Sequence, residues 1–243
     1  MRERDFNLEL HFFLNKIKND QNFSLSRWGD GELIILEDKS IDLTKIKNGE
    51  FKYEPNDEKY RTSRELLMEA YKYIDDEYYV GVACSCCVGK EKFDYMKNLF
   101  NGNEKNLTWA NIFVNSNFKN FISDYVNDIF KKKKIILIAN HMANINKLPF
   151  KVEKQYYVGV DAWYENLELV NELQSYINNN EIKNHLFLFA AGPLANILAS
   201  ELWKFNKNNT YIDVGSVLDV ELGMKPTRGY LKGAPTLKKK CIW

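Results

Sequence analysis

The second half of the chain alternates short apolar runs with amphipathic helical patterns, and this alternation restricts the fold more than any other feature. Four apolar runs predict strands, and they lie at residues 135–139, 156–161, 185–190 and 210–214. Helical patterns at residues 165–178 and 194–205 lie between them. Strands that alternate with helices in this way form a parallel sheet with helices packed on both faces. We therefore predict an α/β fold with a mostly parallel sheet.

The first half adds elements that complete such a sheet. An amphipathic helix is predicted over residues 5–18, and a strand without polar alternation over residues 78–84. Further helices are predicted over residues 58–74, 90–100 and 117–130. The segment 38–57 is expected to be irregular and to shape a substrate pocket, because such segments often carry binding residues.

The composition limits the classes of protein to which this chain can belong. The 243 residues include 34 basic and 33 acidic side chains, so the formal net charge is only +1. This balance gives no electrostatic argument for binding nucleic acid or an anionic membrane. The sequence has neither the apolar core of a signal peptide nor the run of about 20 apolar residues that spans a bilayer. We expect a single domain over residues 1–243, located in the cytoplasm.

Three of the four cysteines crowd into one short segment. Cys84, Cys86 and Cys87 lie close together in the sequence, and Cys241 lies near the end of the chain. No histidine pattern nearby completes a zinc site, so free buried thiols in a reducing compartment are the expected state.

The most specific candidate site is the turn Arg27-Trp28-Gly29-Asp30-Gly31-Glu32. A predicted strand ends here, and a short helix over residues 32–37 begins. Glycines let the backbone turn sharply and approach a ligand closely. Asp30 and Glu32 could bind a divalent cation that holds a diphosphate, or could supply a carboxylate base. Alternatively, Asp30 caps the helix and Glu32 stabilises its first turn.

Polar residues follow several predicted strands, at the edge where an open parallel sheet binds its ligands. Asp161, Asp213 and Ser216 are candidate substrate contacts of this kind, although polar residues also end strands simply because loops begin there. At Gly192-Pro193 a strand gives way to a helix. The free amide groups at the start of this helix would favour a phosphate. Alternatively, the junction is only a tightly packed turn.

Two further residues are candidates on their chemistry alone. His141 follows the strand at residues 135–139 and could act as a general base, because imidazole titrates near neutral pH; a lone loop histidine is also often incidental. Arg228 lies in a basic, glycine-bearing segment that could fold over a diphosphate. The lysines at residues 131–134 are expected to form a solvated helix end.

The block at residues 27–32 resembles the Arg-aromatic-Gly-Asp-Gly-Glu signature of the GT-D glycosyltransferases, the family formerly called DUF1792. The apolar-Gly-Pro turn at residues 189–193 and the Ile-Asp-Val-Gly stretch at residues 212–215 are similar to later family motifs and follow in the same order. The resemblance implies a Rossmann-like fold, distinct from the GT-A and GT-B folds. It also implies transfer of a sugar from a nucleotide-diphosphate donor, typically a uridine diphosphate (UDP) sugar.

The resemblance further implies roles for individual residues. Asp30 and Glu32 would bind a divalent metal ion, Mn²⁺ or Mg²⁺, together with the donor diphosphate, and Glu32 would be a candidate for the chemical step. Gly192 and Pro193 would border the nucleotide. The other residues of the turn are also expected to contact substrate: Arg27, Gly29 and Gly31.

One family feature is missing. Members often carry Ser-Arg in the loop after the mid-chain strand, where this chain has His141-Met142-Ala143-Asn144. Either the arginine contact to the phosphate is missing, or Arg27 or Arg228 supplies it, and the donor could therefore differ.

The acceptor hydroxyl needs a base, and this assignment stays open among Glu32, His141 and Asp161. The expected partners are the nucleotide-sugar donor and a glycan or glycoprotein acceptor, and a homodimer stays open. Residues 212–216 vaguely resemble the first glycine motif of methyltransferases that use S-adenosylmethionine, although that motif normally opens the sheet. A non-catalytic subunit that binds nucleotide sugar without turnover is a third possibility.

Overall fold

The strands of the protein follow the apolar runs of its sequence. A computed structural model describes residues 4–45, 50–233 and 235–243. In chain order the strands are β1 (Ser24–Trp28), β2 (Ile41–Asp42), β3 (Lys52–Tyr53), β4 (Tyr78–Val82), β5 (Leu107–Trp109), β6 (Lys134–Asn140), β7 (Lys154–Val158), β8 (His185–Ala190) and β9 (Thr210–Asp213).

Seven of the described strands form one sheet in the order β5-β4-β1-β9-β8-β6-β7, and every neighbouring pair in it is parallel. The predicted α/β class and parallel sheet are therefore confirmed. From β1 the chain moves outward to β4 and β5, whereas the later strands fill the other side and end with β9 beside β1. This change of direction leaves a crevice at the carboxyl ends of β1 and β9, which is where such sheets bind ligands.

Helices connect the strands. The α-helices are α1 (Phe6–Lys18), α2 (Asp30–Leu36), α3 (Arg61–Lys72), α4 (Ser85–Val88), α5 (Lys90–Leu99), α6 (Phe118–Asn120), α7 (Ala162–Glu165), α8 (Leu169–Asn179) and α9 (Pro193–Phe205). The helix predicted over residues 117–130 starts as α6 but continues as a π-helix over Phe121–Ile129. Within the part of the chain that the structure describes, no helix is both long and apolar enough to cross a membrane.

Two apolar cores lie on opposite faces of the sheet. Side chains alternate between the faces of a strand, and β6 shows this directly. Ile136 and Ile138 belong to one core, which also contains side chains of α3, α8 and α9. Ile135 and Leu137 belong to the other, which contains side chains of α1 and of the π-helix. Burial on both faces explains why these strands are apolar without interruption in the sequence.

The segment predicted to be irregular contains a small hairpin beside the sheet. Strands β2 and β3 pair antiparallel, with Ile41 opposite Tyr53. Phe51, just before β3, is buried. The hairpin therefore places an aromatic side chain next to the carboxyl end of β1, as described below.

Candidate functional site

A cleft of about 750 Å³ opens at the carboxyl ends of the central strands. This volume lies within the range of pockets that hold small ligands and cofactors. Its walls come from the turn after β1, the segments after β8 and β9, the β2–β3 hairpin and the C-terminal segment. The predicted site residues that line it are Arg27, Gly29, Asp30, Gly31, Glu32, Gly192, Asp213, Ser216 and Arg228.

The two carboxylates of the turn after β1 differ in their contacts and exposure. Gly29 is the N-cap of α2, and Asp30 is the first helical residue. Glu32 folds back, and its Oε2 accepts a hydrogen bond of 3.0 Å from the backbone N–H of Gly29. The capping role that the sequence allowed for Asp30 is therefore performed by Glu32. Asp30 is exposed at the cleft, so its carboxylate can reach a ligand there.

Burial raises the pKa values of two carboxyl groups in the cleft, and neighbouring negative charges add to the shift of Glu32. The pKa of Glu32 is raised to about 7, first by burial and then by the charges of Asp213 and Asp30. Asp213 is buried, and this burial raises its pKa, although the charge of Arg27 acts in the opposite direction. A cation beside these groups would favour their ionised forms.

Arg27 lies between Asp213 and an aromatic ring. Its guanidinium is 5.3 Å from the centre of the Phe113 ring, and its Nε is 3.8 Å from Oδ2 of Asp213. Its Nε and Nη1 atoms are buried and find no hydrogen-bond partner among residues 4–45, 50–233 and 235–243. Because Arg27 also lines the cleft, its positive charge favours an anionic ligand there.

The hairpin closes one side of the glycine turn. A Cβ atom on Gly31 would lie 2.8 Å from the ring of Phe51, so no larger residue fits there without moving that ring. The same ring would lie 3.5 Å from a Cβ atom on Gly192. Phe51 thus contacts both glycine-containing turns, the one after β1 and the one after β8.

The start of α9 faces the cleft from the β8 side. Gly192 is its N-cap and lines the cleft, whereas Pro193 is the first helical residue and is buried. Asn196 in the first turn donates a hydrogen bond of 2.8 Å to the carbonyl oxygen of Arg27, which fixes the helix against β1. Pro193 has no N–H, and the N–H of Ala195 donates to the carbonyl oxygen of Gly192 at 2.9 Å, so it is the helix dipole that favours an anion here.

The C-terminal segment forms the outer wall. Arg228 pairs with Glu50 of the hairpin, with 3.1 Å between Nη2 and Oε1. The hydroxyl of Tyr230 lies 3.2 Å from Oγ of Ser216, and both residues line the cleft. The segment that contains Arg228 and Tyr230 therefore contacts both the hairpin and the segment after β9.

The sequence profile of the GT-D fold-like domain family matches residues 10–220. This chain belongs to the GT-D-like family. The resemblance based on the turn at residues 27–32 is therefore confirmed at the level of the family. No curated protein matches the chain significantly.

Solved structures of the family share the fold across nearly the whole chain. One described as DUF1792 with a distinct glycosyltransferase fold is 17% identical, with a TM-score of 0.61, and covers 95% of this chain and 83% of its own. A DUF1792 glycosyltransferase from Streptococcus sanguinis is 12% identical, with a TM-score of 0.61, and covers 98% of this chain and 92% of its own. A selenomethionine structure of a DUF1792 domain is 16% identical, with a TM-score of 0.59, covering 95% and 83%.

Three predicted residues of this GT-D-like chain do not line the cleft: Pro193, which is buried at the start of α9, His141 and Asp161. His141 is exposed at the end of β6 and is not part of the cleft lining. Asp161 is buried behind the hairpin, where its Oδ1 accepts from the backbone N–H of Lys52 at 2.9 Å and from the indole of Trp163 at 2.9 Å. Its Oδ2 accepts from the hydroxyl of Tyr60 at 2.7 Å. Asp161 thus holds the hairpin in place and does not face the cleft.

Sequence reasoning did not name several residues of the cleft, among them Phe51, Glu50 and Asp219. Phe51 and Glu50 lie within residues 38–57, the segment expected to shape a substrate pocket, but no pattern in the sequence singles out these two residues. Asp219 is 4% exposed, and burial, followed by the charges of Glu50 and Glu221, raises its pKa to about 7 against the opposing charge of Arg228. Its position, three residues after Ser216, could have suggested the same wall of the cleft.

Proposed function

We propose that this GT-D-like chain transfers a glycosyl group from a nucleotide-diphosphate sugar, with UDP sugars as the expected donors, to a glycan or glycoprotein acceptor. The observation that carries the proposal is the position of Arg27, a cation that lines the same cleft as Asp30, Glu32 and the start of α9. Its side chain is 13% exposed. The positive charge of a guanidinium at this place favours a diphosphate, since phosphate oxygens are strong acceptors for arginine.

The residues present fit the divalent cation that the family implies. Asp30 and Glu32 offer hard oxygen ligands, and the crowding of Glu32 with Asp213 favours positive charge at this point. Mg²⁺ and similar ions are often held by one or two carboxylates together with substrate phosphates, so a complete protein cage is not required. We assign the ion, Mn²⁺ or Mg²⁺, to Asp30 and Glu32. When bound, it would act as a Lewis acid toward the departing diphosphate.

Groups of the protein itself account for the other parts of the reaction. Arg27 and the dipole at the start of α9 bind the diphosphate and stabilise the charge that develops on it. Phe51 and the wall of Arg228 and Tyr230 exclude water from the bond that breaks. A bound cation would lower the pKa of Glu32 from the value of about 7 that burial gives it, so we assign Glu32 to the ion and not to the proton transfer. His141 and Asp161 are given no chemical role, because neither lines the cleft.

The experiment measures sugar transfer and slow donor hydrolysis over a panel of nucleotide sugars with Mn²⁺ or Mg²⁺. We expect Arg27→Ala, Asp30→Asn and Glu32→Gln each to lower kcat/KM at least about 100-fold. Asp30→Asn and Glu32→Gln should each also raise the metal concentration needed for half-maximal rate. Asp128→Asn, an exposed carboxylate on the π-helix, is the matched control and should leave the rate unchanged.

Thermal shifts separate the other functions. A UDP sugar with Mn²⁺ should raise Tm, and S-adenosylmethionine should not; the reverse result would favour a methyltransferase. Donor binding without any transfer or hydrolysis would indicate a non-catalytic subunit. Full activity in the Asp30→Asn, Glu32→Gln double variant would exclude the proposed mechanism.

A further inference from the structure

The four cysteines of the chain come together in space at one edge of the cleft. Cys84 precedes α4, Cys86 and Cys87 lie on it, and Cys241 arrives from the far end of the sequence. Their four Sγ atoms all lie within 4.8 Å of one another, and those of Cys84 and Cys86 are 3.2 Å apart. The four side chains are reduced, with no disulfide between them.

This spacing matches a single tetrahedral ion. With Zn–S bonds of about 2.3 Å, the sulfurs of a four-cysteine zinc site lie about 3.8 Å apart. A four-iron cluster places each cysteine on a different iron and holds the sulfurs further apart than one central ion does. Soft thiolate ligands in a tetrahedral set select zinc over the hard cations that carboxylates bind. Cys84 and Cys87 also have the Cys-x-x-Cys spacing of zinc sites.

Donors suitable for bound thiolates already surround the sulfurs. The side-chain amide of Asn115 lies 3.2 Å from Sγ of Cys241, and that of Asn111 lies 3.8 Å from Sγ of Cys87. The ammonium of Lys239 lies 3.5 Å from Sγ of Cys87. Four thiolates around Zn²⁺ carry a net charge of −2, so a neighbouring cation and N–H donors are the outer contacts that such a site requires.

We propose that Cys84, Cys86, Cys87 and Cys241 bind one structural zinc ion, which fastens the C-terminal segment to the end of β4. Cys241 lies beyond residues 10–220, the range that matches the family profile. The end of the chain also packs here, with the ring of Trp243 4.8 Å from Phe93 and 4.9 Å from Trp109. Since Cys87 and Lys239 line the cleft, the ion would set the position of this wall. The inference does not depend on the proposed function.

The test uses the full chain, expressed with added zinc and purified without a histidine tag. We expect about one zinc ion per chain by elemental analysis, and replacement by Co²⁺ should give the thiolate charge-transfer and strong visible bands of tetrahedral cobalt. Cys241→Ser should reduce bound zinc at least about fivefold and lower Tm. Ile242→Ser is the matched control, because Ile242 is 60% exposed next to the ligand, and it should retain zinc.

A second variant covers the case in which Cys241→Ser does not fold. Cys87→Ser changes an exposed side chain and should also lose zinc and the cobalt spectrum. Asp30→Asn should keep its zinc, which separates this site from the proposed catalytic ion. Wild-type chain without zinc, an iron–sulfur absorption spectrum, or disulfides detected by mass would each overturn the proposal.

Discussion

Gly215 determines where the guanidinium of Arg27 can lie. It has a φ of +54°, and a Cβ atom there would come within 2.4 Å of Nη2 of Arg27. The absence of a side chain therefore brings β1 and the segment after β9 close enough for Arg27 to lie beside Asp213. This contact joins two ends of the sequence that no local pattern relates.

We predict that Gly215→Ala raises the donor KM about tenfold and destabilises the fold by about 1–2 kcal/mol, because it adds strain at positive φ and displaces Arg27. Gly233→Ala is the control. Gly233 also has positive φ, but its Cβ would meet nothing within 4 Å. Titration calorimetry with a UDP sugar and urea unfolding measure the two effects. Equal donor affinity in both variants would contradict the role given to Arg27.

At the scale of elements, the β2–β3 hairpin is positioned by one buried carboxylate. Asp161 accepts hydrogen bonds from Lys52, Trp163 and Tyr60, and its backbone N–H donates to the carbonyl oxygen of Glu50 at 2.7 Å. Through these contacts the loop after β7 sets the distance between the hairpin and the glycine turn.

We predict that Asp161→Ala destabilises the protein by about 2–4 kcal/mol, because three buried donors lose their acceptor. Tyr60→Phe removes one of these hydrogen bonds and should cost about 1 kcal/mol. Urea unfolding gives both values, and kcat should remain within a few-fold of wild type in Tyr60→Phe, which leaves the other contacts of Asp161 in place. A loss of kcat without a loss of stability would make Asp161 a chemical group instead.

At the scale of the whole molecule, buried carboxyl groups link folding to pH. The pKa values of Glu32 and Asp219 are raised to about 7 from 4.5 and 3.8. A raised carboxyl pKa means that, between the unfolded and folded values, the folded chain binds more protons than the unfolded chain. The free energy of unfolding therefore falls as pH rises through this interval and levels off above about pH 7.

We predict that, with chelator present, the free energy of unfolding decreases between about pH 5 and about pH 7, with Glu32 contributing roughly 1–3 kcal/mol. Glu32→Gln should make this decrease smaller. Glu37→Gln, at the other end of α2, should leave it unchanged. Mn²⁺ should stabilise the wild type more at the higher pH, because it favours ionised carboxylates. A pH dependence that is the same in Glu32→Gln and wild type would contradict the assignment.

The sequence by itself determined the strand and helix pattern, the parallel sheet and the glycine turn that carries Asp30 and Glu32. These features depend on neighbours in the chain: periodicity, breakers and caps act over a few residues. Only the tertiary structure decided that Glu32 caps α2, that Asp161 faces the hairpin, that Phe51 and Asp219 line the cleft, and that Cys241 joins three distant cysteines. Such contacts connect residues far apart in sequence, so they follow from how the elements pack and leave no local signal.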